Sequence, residues 1–129
     1  MSTNKCATYS VISCYSFTDS SSVTCSLSYS SFADNSAIVN RCIYFENSAA
    51  KYEMKCCNVL RNTQIGSDSG GIISICGNMK IEDSCILENN ANYIFYSFYS
   101  SYIFTLSNYT VDKTTIGKCL INNNKCSSK

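Results

Sequence analysis

Ten cysteines and nine carboxylates are the side chains of this 129-residue chain that could do chemistry, and there is no histidine. Without imidazole, His-dependent catalytic triads and every zinc site that needs His fall away. No Cys-x-x-Cys occurs, so a knuckle-type structural zinc site is not expected. The adjacent Cys56 and Cys57 would face opposite sides of a strand and share no metal. No catalytic residue, cofactor or metal is assigned. Polysaccharide lyases and hydrolases built on solenoids gather Asp and Glu, with Arg or Lys, on one strand face. Here the carboxylates are scattered, and Glu82-Asp83 is the only adjacent pair. Two carboxylates from different coils about 5–9 Å apart would restore that chemistry, and a carbohydrate-active enzyme is the alternative reading. Eight aromatics fall between Tyr93 and Tyr109. Exposed, such rings could stack on sugars or on a protein partner; core and half-buried strand are the stronger expectation. One glycosylation acceptor is present, Asn108-Tyr109-Thr110.

The elements that position these residues emerge from a repeat. Cys42, Cys57, Cys85 and Cys119 are each followed five residues later by Asn: Asn47, Asn62, Asn90 and Asn124. Two positions after the cysteines stand Tyr44, Val59, Leu87 and Ile121, and three before stand Val39, Met54, Glu82 and Ile116. The unit is apolar-x-x-Cys-x-apolar-x-x-Asn. Looser copies use Leu27, Ser30, Phe32 and Asn35, and Val11, Cys14, Ser16 and Asp19; Leu106, Tyr109 and Val111 mimic it again. Residues two apart share one side of a strand, so Cys and its apolar neighbour line a dry interior. Cys packs there as a small hydrophobe. Asn tolerates the left-handed region and suits a corner, where stacked amides can bond one another. Strand, corner and return describe one coil of a parallel β-solenoid. The spacing implies about four to six coils, above the minimum of roughly three. Cys6, Cys25, Cys76 and Cys126 lie outside the repeat and are the better disulfide candidates.

Other cues agree. Ile73, Ile75, Met79, Ile81, Cys85 and Leu87 hold odd positions, an alternation that suits strands. The clearest helical candidate is residues 47–57. The uncharged stretch 89–111 is rich in Tyr, Phe and Ser, which favours strands over a membrane helix. A net charge of +1 with 15% charged residues excludes a polybasic nucleic-acid arm and a charge-driven disordered chain. The first ten residues are polar and carry no apolar leader segment. The expected organisation is a polar segment 1–10, a β-helix domain 11–124 and a tail 125–129.

Phe32-Ala-Asp-Asn35-Ser-Ala37 resembles the Phe-x-x-Asn repeat of polymorphic outer-membrane-type β-helix proteins, and Gly70-Gly71-Ile72 resembles their companion Gly-Gly repeat. Similar repeats occur in surface-protein families of parasitic protists, whose Ser-, Asn-, Tyr- and Cys-rich composition is shared here. The resemblance spans residues 11–124. It implies an all-β, right-handed parallel β-helix exposed on a cell surface, acting in adhesion or host contact. The reading that follows is a non-catalytic structural or adhesive binding protein, or a segment of a longer repeat protein. Its partner would be a protein or glycan on a cell surface. Nucleic acid and a membrane span are not expected; end-to-end self-association is.

Overall fold

The computed structural model describes residues 5–6, 12–15, 24–38, 41–46, 50–66, 70–112, 116–117 and 120–124. Every regular element among them is a strand, and every pairing is parallel. After β1 (Lys5–Cys6), one turn contains β2 (Ile12–Tyr15), β3 (Thr24–Ser28), β4 (Ser31–Ala33) and β5 (Ser36–Ala37). The next contains β6 (Ile43–Glu46), β7 (Lys51–Lys55), β8 (Asn58–Leu60) and β9 (Thr63–Gln64). The third contains β10 (Ile73–Ile75), β11 (Met79–Glu82) and β12 (Cys85–Leu87), and Asn90 bridges back to Thr63. A shorter turn follows with β13 (Phe95–Ser97), β14 (Ile103–Ser107) and β15 (Thr110–Val111), then β16 (Ile116–Gly117) and β17 (Leu120–Asn124).

Strands stack in four sheets. Sheet I runs β16-β13-β10-β6-β2, sheet II β17-β14-β11-β7-β3, sheet III β15-β12-β8-β4 and sheet IV β1-β5-β9. This is a parallel β-solenoid of about three complete turns, fewer than the four to six that the cysteine spacing implied. That spacing misled because Cys42 and Cys57 lie on different sides of one turn. The repeat length in sheet III is set instead by pairs 27 residues apart, such as Asn35 with Asn62 and Asn62 with Asn89.

A simple rule places the inward side chains. Along a strand they recur every second residue; across each corner they recur after three. Tyr52, Met54, Cys57, Val59, Asn62 and Gln64 point inward and are buried, as are Met79, Ile81, Ser84, Ile86 and Asn89. The extra residue at each corner adopts a left-handed backbone: Tyr29, Cys56, Asp83 and Asn108 at one edge, Asp34, Arg61 and Glu88 at the next. Left-handed backbone costs an L-residue roughly 1–2 kcal/mol, so these corners persist because hydrogen bonds between turns hold both flanks. Cys56 N–H donates to the Glu82 carbonyl at 3.1 Å, and Arg61 N–H to that of Leu87 at 3.1 Å.

The same rule corrects two expectations. The odd-position alternation from Ile73 to Ile81 changes phase at Asp83, so Ile86 is inward and Cys85 and Leu87 are only half-buried. The helical candidate is strand β7, with Tyr52 and Met54 inward and Lys51, Glu53 and Lys55 in solvent; a period of two outweighs the helix-forming composition. Residues 47–49 lie outside the described residues. No helix among the described residues is long and apolar enough to cross a membrane.

The core is filled from sheets I, II and III. Phe45 packs on Tyr52 with ring centroids 4.9 Å apart, and Phe95 on Phe104 at 5.1 Å. Sheet I is buried on both faces: Tyr44, Ser74 and Tyr96 point away from the core yet are covered. Tyr93, Phe98 and Arg41 form part of that cover. The Arg41 guanidinium lies 4.0 Å from the Tyr44 ring and 4.3 Å from the Phe98 ring. Gly71 lies close against Tyr93, and a Cβ on it would come within 2.7 Å of the Tyr93 carbonyl oxygen.

Candidate functional site

The surface best suited to contact is the outer face of sheet II, because its outward side chains stand in register in solvent. Register aligns Ser26, Glu53, Lys80 and Thr105 in one row, and Ser28, Lys55, Glu82 and Ser107 in another. Successive members of a row stand about 4.8 Å apart. Acid and base alternate along and between the rows. Lys80 Nζ meets Glu82 Oε1 at 2.8 Å, and Ser107 Oγ donates to Glu82 at 3.3 Å. The Lys80 hydrogen bond holds the Glu82 carboxyl below the usual carboxylate range. Exposed tyrosines flank this face at opposite ends: Tyr29 follows β3, and Tyr99, 60% exposed, precedes β14 and meets Tyr102 edge-on at 5.7 Å.

Two carboxylates from adjacent turns, Glu53 and Glu82, share this face. They are diagonal neighbours, since Glu53 pairs with Lys80 and Glu82 with Lys55. Two carboxylates on one strand face are what a glycosidase pair requires. A general acid, however, needs a raised pKa, and Lys80 drives Glu82 the other way. Among the described residues no group of three or more Cys, Asp or Glu side chains could hold a metal ion.

A corner ion pair lies alongside. Arg61 Nε and Nη2 donate to the two Asp34 oxygens at 2.7 and 2.8 Å. This bidentate contact holds the Asp34 carboxyl below the usual range.

Asparagines build the interior spine beneath. Asn35 Nδ2 donates to Asn62 Oδ1 at 2.9 Å, and Asn62 Nδ2 to Asn89 Oδ1 at 3.0 Å. Asn62 Nδ2 also reaches the Phe32 carbonyl, and Asn89 Nδ2 that of Val59, both at 2.8 Å. Of the expected corner residues, Asn62 is in this ladder, and Asn90 sits one residue past it with its side chain in solvent. Asn89 takes the place assigned to Asn90, because the left-handed Glu88 turns Asn89 inward. Asn124 is the last residue of β17 and pairs with Ser107; Asn47 lies outside the described residues. Asn35, part of the Phe-x-x-Asn motif, is the third member.

The cysteines do not form one column. Cys57 is buried at the corner into β8, with Sγ 3.3 Å from the Lys55 carbonyl oxygen. Its level in the next turn is held by Ser84, whose Oγ accepts the Cys57 N–H at 3.1 Å; Cys85 pairs with Asn58. Cys42 is buried before β6, near the Thr63 carbonyl, and Cys119 lies outside the described residues. Cys25 is disulfide-bonded, whereas Cys76 is free, with Sγ 3.5 Å from the Tyr44 hydroxyl.

Burial pushes the Cys42 thiol up to about 12. It therefore stays protonated in the fold where the unfolded chain ionises from about pH 9, so this contribution to stability falls as pH rises above that value. Among the described cysteines, native protein treated with maleimide at neutral pH is expected to label the half-buried Cys56, Cys76 and Cys85 first. Cys42 and Cys57 should label only in urea; rapid native labelling of either would contradict their core positions.

Among the aromatics between Tyr93 and Tyr109, Phe95, Tyr96 and Phe104 are buried and Tyr99 is exposed. No family model, curated protein or solved structure matches the chain.

Proposed function

We propose that the chain is a non-catalytic solenoid scaffold of the adhesive surface type, contacting a protein or glycan along the outer face of sheet II. The observation that supports this reading most is the in-register polar lattice on that face, flanked by the exposed Tyr29 and Tyr99. Rows of hydroxyls and paired charges offer many weak, evenly spaced contacts, the binding mode of solenoids. Aromatic rings at the margins add stacking area. The diagonal Glu53 and Glu82 support a second reading, a carbohydrate-active enzyme.

Both readings are tested on a panel of immobilised cell-surface glycans and glycoproteins. The double variant Tyr99→Ala, Lys80→Glu is expected to weaken retention at least about tenfold, equal to 1.4 kcal/mol, while folding is kept. Unchanged retention by this variant removes the proposed face. Polysaccharide turnover that Glu82→Gln abolishes overturns the non-catalytic reading.

End-to-end association of chains belongs to the same proposal. Terminal strands of a parallel stack offer backbone groups to a further strand unless they are covered. Sedimentation velocity is expected to show species that grow with concentration, and a stable monomer throughout would remove this part.

A further inference from the structure

We propose that Asn108 is an acceptor for an N-linked oligosaccharide, a modification that stands independently of what sheet II binds. Asn108-Tyr109-Thr110 is the one Asn-x-Ser/Thr sequence in the chain. The fold sets it out for modification. Asn108 is the left-handed corner between β14 and β15, with φ 46°, and its side chain is exposed. Tyr109 turns inward and packs against the core, so Asn108 and Thr110 both lie on the solvent side. A glycan on this corner extends away from the solenoid and displaces no core group.

The amide chemistry is compatible with the fold. In the transfer, Asn108 Nδ2 bonds the anomeric carbon of a lipid-diphosphate-linked oligosaccharide. The bond from that carbon to the diphosphate oxygen breaks, the lipid diphosphate leaves, and Nδ2 gives up one proton. One N–H remains, enough for the single hydrogen bond that Nδ2 donates to Asp83 Oδ1 at 2.5 Å. The glycosylated corner therefore keeps its tie to the preceding turn.

The test is translation of the full chain behind a cleavable secretory signal, in the presence of microsomes. A single upward mass shift is expected, reversed by peptide N-glycosidase, with tandem mass spectrometry of the peptide that contains residue 108 locating the resulting Asn-to-Asp change there. Asn108→Gln and Thr110→Val should abolish the shift, and Thr110→Ser should retain it. An unshifted wild-type chain, in microsomes that modify a control protein, overturns the proposal. So does a shift that persists in Asn108→Gln.

Discussion

Replacing Asn62 by Leu is expected to lower the unfolding free energy by about 3–5 kcal/mol, because each buried polar group left without a partner costs about 1–3 kcal/mol. Asn62 is fully buried. Its Oδ1 accepts from both the N–H and the Nδ2 of Asn35, at 3.1 and 2.9 Å, and its Nδ2 donates to the Phe32 carbonyl and to Asn89. Leucine satisfies none of them, so the Asn35 N–H and the Phe32 carbonyl lose these partners in the dry interior. Against a typical total of 5–15 kcal/mol, this loss is large enough to leave a substantial fraction unfolded. Asn90→Leu is the matched control: its side chain is in solvent, and the change should stay within about 0.5 kcal/mol. Urea unfolding followed by circular dichroism measures both. Equal effects at the two positions would mean that the ladder does not pass through Asn62 and Asn89.

The second large effect is expected in the core. Phe104 is fully buried on sheet II and meets Phe95 of sheet I across the interior. Phe104→Ala removes the ring that joins the two sheets and should cost about 3–5 kcal/mol, transfer and cavity terms together. Thr105, its neighbour, points outward from the same strand, and Thr105→Ala should change stability by no more than about 0.5 kcal/mol. A Phe104 variant as stable as the parent in urea would contradict the packing of sheet I on sheet II.

The fold class was legible because a solenoid repeats its demands on the chain. Met54, Cys57, Val59 and Asn62 display the unit of inward apolar, corner and Asn directly, and Leu27, Ser30, Phe32 and Asn35 display it again. Cysteine does not mark the period. What the corner level requires is a small side chain, and Cys57 and Ser84 meet that need equally; Cys85 stands one residue past that level, as Asn90 stands one past Asn89. The equal spacing of Asn35, Asn62 and Asn89 was the available signal. Residues such as Tyr29, Cys56 and Arg61 carry no sequence mark of a left-handed backbone; only inter-turn hydrogen bonding imposes it. The double-sided burial of sheet I was likewise illegible. Tyr44, Ser74 and Tyr96 occupy the outward phase of their strands, where solvent is the default, and what covers them arrives from elsewhere in the chain.

For the candidate site, the aromatic stretch was visible, but its division into buried Phe95 and Phe104 and exposed Tyr99 depends on strand phase. Glu53 and Glu82 are distant in sequence and become neighbours only through the register of β7 and β11.

Successive turns are stitched in register through one interior column of asparagine amides. A ¹⁵N-edited NOESY spectrum reads this column residue by residue. The predicted result is that the Asn62 side-chain amide shows cross-peaks to the side chains of both Asn35 and Asn89 and exchanges slowly with water. An Asn62 amide in fast exchange, or one that connects to Asn90 in place of Asn89, would contradict it.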